Sequence, residues 1–129
     1  GDVEMRYEEA IALMKTAKNP SKGKPLLNNT RLHSCLDGSF EIKLHGHPII
    51  TIHPNHITLD SCGYKTVTTK ARMNTFTPLG FKVIQRKWNW MVVVNGTDIV
   101  VCDYDIHDVI VTHEYDFYDG IKFSTEVTA

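Results

Sequence analysis

The sequence predicts an α+β fold, a twisted antiparallel sheet of meanders and hairpins packed by an N-terminal amphipathic helix and a short second helix. Three observations carry this. Apolar residues recur with helical spacing over residues 4–18 and with a period of two from residue 31 onward. Turn pairs (Asp37-Gly38, Gly46-His47-Pro48, Pro54-Asn55, Asn95-Gly96) punctuate the alternating runs. The third is size: 129 residues, 42% hydrophobic and 22% charged, suit one globular domain over 1–129 and exclude a disordered or collagen-like chain.

Taken in order, residues 1–3 are expected to be a flexible start with no basic-then-apolar leader. In the first helix Tyr7, Ala10, Ile11 and Met14 form one stripe, with Glu8 and Glu9 early and Lys15 and Lys18 in the last turn, as the macrodipole favours. Asn19-Pro20 ends it, and residues 21–25 read as a cationic loop. Strands follow at 31–36, with Leu32, Ser34 and Leu36 on one face, and at 40–45, with Phe40, Ile42 and Leu44 inward. Two more run over 49–53 and 56–60, where Ile57 and Leu59 point inward. A short helix over 69–76, capped by Thr66 or Thr68, precedes Pro78. Residues 81–87 and 88–94 make a hairpin, and Asn95-Gly96 is the strongest turn signal in the chain. Strands at 99–102, 109–112 and 121–123 complete the sheet. No apolar run approaches the roughly 18 residues of a membrane span, so no membrane partner is expected.

The formal net charge of −1 hides an asymmetry. Residues 10–97 carry twelve Lys and Arg against three acids, whereas the segment 98–129 carries eight acids and one lysine. A body of this kind attracts polyanions, or else its own acidic strands neutralise it. The pI near 6.7 argues against a dedicated chromatin-type binder. Three cysteines, Cys35, Cys62 and Cys102, without a CxxC pair suit a reducing compartment, and Cys102 in an apolar run reads as a small hydrophobe. The tripeptides Asn28-Asn29-Thr30 and Asn95-Gly96-Thr97 then match the glycosylation pattern by chance.

Three stretches carry a resemblance: Asn28-Asn29-Thr30-Arg31-Leu32, then Leu44-His45, then Gly63-Tyr64-Lys65-Thr66-Val67-Thr68-Thr69-Lys70-Ala71-Arg72-Met73-Asn74, followed by a tryptophan-bearing strand. In this order they resemble a family of small proteins encoded by tailed bacteriophages. The likeness spans residues 7–94 and leaves the acidic remainder outside; Tyr64 stands where the family carries tryptophan. It implies a phage or prophage origin and a bacterial cytoplasm, and it brings no activity.

Four constellations are candidates for chemistry. Thr66, Thr68 and Thr69 at a helix start, with Lys70 and Arg72, suit an anion or a nucleic-acid phosphate; the simpler reading is that the threonines cap while the cations lie in water. The glycine spacing of a P-loop is absent. Lys82, Arg86, Lys87 and Trp88 interleave cations with an aromatic, as single-strand binders do, while Trp90 reads as core. His45, His47 and His53 would share a face on one long strand and so suit zinc, but Gly46 and Pro48 interrupt that strand. Asp103, Asp105, His107, Asp108 and Glu114 imitate the acidic spacing of a calcium loop without its glycine. No cofactor is implied. The leading expectation is a non-enzymatic module using a basic face to bind nucleic acid or a host macromolecule. The alternatives are a protein effector that inhibits a host enzyme through its acidic segment, and a metal-dependent hydrolase.

Overall fold

A computed structural model describes residues 5–77, 80–102 and 105–125, with 96–102 and 105–111 described by backbone alone. It is α+β with antiparallel sheets, and the residues group into two compact units. The first comprises residues up to 77 together with those from 118, and the second residues 80–117. No helix among the described residues is long and apolar enough to cross a membrane.

In the first unit, α1 (Tyr7–Met14) and α2 (Val67–Phe76) accompany a six-stranded sheet. Its strands are β1 (Lys24–Leu27), β2 (Thr30–Ser34), β3 (Phe40–Leu44), β4 (His47–Ile52), β5 (His56–Leu59) and β9 (Ile121–Ser124), hydrogen-bonded in that order. The register lines up one apolar row across five strands: Leu32 opposite Ile42, Ile42 opposite Ile50, Ile50 opposite Leu59 and Leu59 opposite Ile121. All five side chains are buried, each contributing about 1.5–3 kcal/mol by leaving water. Arg31, His33, Glu41 and Lys43 alternate onto the opposite, more solvated face.

α1 is shorter than expected, and its last turn holds no basic residue: Lys15 is the C-cap and Lys18 lies beyond it. Its stripe nonetheless faces inward. Ala10 is buried, Tyr7, Ile11 and Met14 are half-buried, and the Tyr7 ring meets Phe40 edge-on at 5.3 Å. The cationic loop expected at 21–25 is instead a 3-10 turn (Pro20–Lys22) followed by β1. Pro25 is tolerated there because β1 is an edge strand. β2 stops at Ser34, and Leu36 stands fully exposed in a turn closed by Cys35 N–H donating to the Ser39 carbonyl at 2.8 Å.

His47 and Pro48, expected in a turn, belong to β4. The turn is His45-Gly46, with φ of 51° and 80°. Ile42 pairs with Ile50 but Lys43 with Pro48, so Ile49 is the extra residue of a β-bulge. This explains why consecutive Ile49 and Ile50 are both buried. It also explains the proline, since β4 pairs with β5 only from Ile50 onward. In α2, Thr66 is the N-cap, its hydroxyl oxygen accepting from Thr69 N–H, and Thr69, Met73 and Phe76 form the buried stripe.

The second unit is a three-stranded sheet, β6 (Phe81–Arg86), β7 (Asn89–Cys102) and β8 (Asp105–Asp116), in that order. Asn95-Gly96 is not its turn. β7 runs straight through the pair, with Asn95 opposite Thr112 and Gly96 opposite Val111, and pairing continues to Cys102 opposite Asp105. The β-branched residues flanking the pair favour an extended chain, and the Thr112 hydroxyl donates to Asn95 Oδ1 at 3.2 Å. The short strands expected at 99–102 and 109–112 are therefore parts of one long ladder. The reading of Cys102 as a small hydrophobe falls outside the described side chains.

Candidate functional site

The threonine constellation lies in the first unit and the Lys82–Trp88 constellation in the second. In the first, the α2 cap uses two of its three threonines: Thr66 Oγ1 accepts from Thr69 N–H at 3.1 Å and lies 3.0 Å from Thr69 Oγ1. Arg72 is not a free cation. Its Nε donates to Thr30 Oγ1 at 2.9 Å and its Nη2 to the Asn28 carbonyl at 3.4 Å. Thr30 is fully buried and donates its own hydroxyl proton to the Asn28 carbonyl at 3.0 Å. The next carbonyl, Asn29, accepts from His45 N–H at 2.8 Å. The Asn28-Asn29 turn, Leu44-His45 and α2 are thereby tied together from three distant parts of the chain.

Beside this junction lies a cavity of about 390 Å³ lined by Leu44, His45, His47, Ile49, Ser61, Tyr64, Thr66, Thr68 and Thr69. None of these residues carries a carboxylate. The Tyr64 and His47 rings form one wall, with centroids 4.8 Å apart and planes inclined by 33°. Ser61 is buried, and Asp119 Oδ1 accepts from both its hydroxyl (2.7 Å) and its N–H (2.8 Å). The serine proton is thus committed to a carboxylate, not to a histidine base as nucleophilic catalysis requires. Burial pushes the Cys62 thiol up, and Asp60 pushes it the same way; the thiol donates to the Pro48 carbonyl at 3.3 Å. Burial likewise raises the Cys35 thiol.

The three histidines singled out for zinc are not brought together. His45 and His47 line this cavity, whereas His53 lines a separate one of about 190 Å³ and stacks on His56 at 4.1 Å. The positive-φ turn at His45-Gly46 and the bulge at Ile49 break the strict alternation that would have aligned them. Among the described residues, no cluster of His, Cys, Asp and Glu could hold a metal ion. The calcium-loop reading fails on the backbone. From Asp105 to Glu114 the chain is a paired strand, and Glu114 is ion-paired with Arg86; Asp103 lies outside the described residues.

In the second unit the β6–β7 connection is a two-residue turn, Lys87-Trp88, with both residues in the left-handed region at φ 50° and 71°. Trp88 is 90% exposed, whereas Trp90 is buried and meets Phe117 edge-on at 5.3 Å. Lys82 and Lys87 are exposed and form no ion pair among the described residues. Arg86 has its pair with Glu114, so one carboxylate of the acidic segment lies on the basic strand.

The cavity was not legible as a site because its histidines and threonines are neighbours only through sheet register and the junction at Arg72. The model of one protein family, described as the Kyanoviridae Gp96 protein, matches residues 5–124. The chain belongs to the Kyanoviridae Gp96 protein family. The match confirms a phage-encoded family, reaches past residue 94 into the acidic segment, and includes both constellations. No curated protein and no solved structure gives a significant match.

Proposed function

We propose that this member of the Kyanoviridae Gp96 family is a non-enzymatic phage accessory protein that binds single-stranded nucleic acid in the host cytoplasm through the β6–β7 hairpin tip. The observation that carries the reading is Trp88, 90% exposed at a turn whose two residues both adopt positive φ. Trp88 gains almost nothing from burial here and sits where glycine or asparagine is favoured, so neither packing nor turn preference accounts for it. An exposed indole at the tip, with Lys87 next to it and Lys82 further along β6, both without an ion pair among the described residues, suits sequence-tolerant binding: bases stack on the ring while the two lysines neutralise phosphates.

Fluorescence anisotropy of a labelled oligothymidylate at two salt concentrations tests the proposal. Affinity should fall with salt, with a logarithmic slope of about −1.4 for two phosphate contacts. Trp88→Ala should weaken binding by about 1–3 kcal/mol. Absence of binding at low salt would exclude the nucleic-acid function.

A further inference from the structure

A different region, the cavity beside α2, carries an inference that does not depend on the hairpin tip. We infer that this cavity is a binding site for a nucleoside monophosphate.

Its volume, about 390 Å³, lies within the range of small-ligand sites. Its lining divides into three chemically distinct parts. Leu44 and Ile49, both buried at the sheet, give an apolar floor. His47 and Tyr64 give a wall of two rings, and Tyr64 remains 54% exposed although it lines a cavity. A flat heteroaromatic laid against that wall would cover the tyrosine face and the floor together. The remaining hydrogen-bond donors of the lining are His45 and the Thr68 hydroxyl, with no carboxylate among the lining residues to repel an anion. Lys70 stands in the adjacent helical turn, which contains no acidic residue.

These parts select one class of ligand. Inorganic phosphate would use the donors alone and leave ring wall and floor in water. An apolar ligand would fill the floor and strip water from the donors without replacing it. A nucleoside lacks the anion. A base and a phosphate in one molecule supply a partner for the apolar, aromatic and hydrogen-bonding parts of the lining at once. Ser61 and Thr69, whose hydroxyls are held by Asp119 and Thr66, shape the site without being available to the ligand.

The test is calorimetric titration of the full chain with the adenosine, guanosine, cytidine and thymidine 5′-monophosphates, with adenosine alone, and with inorganic phosphate. At least one nucleotide should bind saturably, with adenosine and phosphate each at least about tenfold weaker, a difference of about 1.4 kcal/mol. Tyr64→Ala should lose about tenfold in nucleotide affinity and Tyr64→Phe should retain it, since the ring and not the hydroxyl does the stacking. Circular dichroism should show both variants folded, as expected for a half-exposed ring. Trp88→Ala, which tests the hairpin tip, should leave nucleotide affinity unchanged. No saturable binding of any nucleotide to about 5 mM, phosphate binding as tightly as nucleotide, or unchanged affinity in folded Tyr64→Ala would each overturn the inference.

Discussion

Replacing Lys87-Trp88 by Asn-Gly should raise stability and lower nucleic-acid affinity in the same protein. Both wild-type residues sit at positive φ, 50° and 71°, where a side chain costs about 1–2 kcal/mol per residue. Asparagine relieves part of this and glycine nearly all, against about 0.5–1 kcal/mol for the extra freedom of glycine in the unfolded chain. Trp88 is 90% exposed, so removing its ring forfeits almost no burial. The net gain is about 1 kcal/mol, a rise of about 3–5 °C in the melting temperature of a chain this size. Loss of stacking should meanwhile weaken oligothymidylate binding by about 1–3 kcal/mol, and loss of the Lys87 cation should weaken it further and make the salt dependence shallower. Thermal denaturation followed by circular dichroism reads the first effect and anisotropy the second. A variant that melts lower than wild type, or binds as tightly, would refute the argument that strain is held at this turn for the sake of the exposed ring.

Other consequences concern the sheet and the α2 junction. Gly23→Ala should destabilise by about 2 kcal/mol or more, read as a lower urea midpoint: φ there is +77°, and an added Cβ would lie 2.7 Å from the Leu32 carbonyl oxygen and from His33 Nε2. Arg72→Ala should cost about 1–2 kcal/mol by removing the donor to buried Thr30, and Arg72→Lys should not restore it, because an ammonium lacks the guanidinium fork. Stability should fall as pH drops from about 7.5 to about 5.5. Burial, aided by Lys43 and Arg31 against the opposing pull of Glu41, holds His33 below its ordinary value, and burial with His53 and Lys122 does the same for His56. The unfolded chain therefore binds more protons in the window below about pH 6.5, and the stability present at neutral pH is lost there. Urea midpoints across that range check this, and His33→Gln with His56→Gln should flatten the profile.

The parts of the fold visible in the sequence are those governed by local periodicity. Phe40, Ile42 and Leu44 alternate, Ile57 and Leu59 alternate, and the structure buries all five. Thr66 caps α2 because a hydroxyl ahead of a helix meets a free N–H wherever the helix packs. What stayed hidden depends on partners far along the chain. β1 contains Pro25 and becomes a strand only because β2 offers it an edge. The bulge at Ile49 is a property of the β3–β4 register, so no window around Pro48 reveals it. Asn95-Gly96 carries a strong turn signal, yet the β7–β8 pairing keeps it extended, whereas the hairpin expected over 81–87 and 88–94 does form and is closed by Lys87-Trp88. The candidate residues divide the same way. Trp88 was legible as a candidate from its place at the junction of the 81–87 and 88–94 strands. Arg72 and Arg86 were not legible as bound cations, because Thr30 and Glu114 lie 42 and 28 residues away.

Stacking of the Trp88 indole on bases should be visible in tryptophan fluorescence during an oligothymidylate titration. Trp90 is buried and supplies a constant background, so any change in emission belongs to Trp88. Quenching should saturate at the concentration where anisotropy saturates, and Trp88→Leu should abolish it. Emission that stays constant while the oligonucleotide binds would contradict the account.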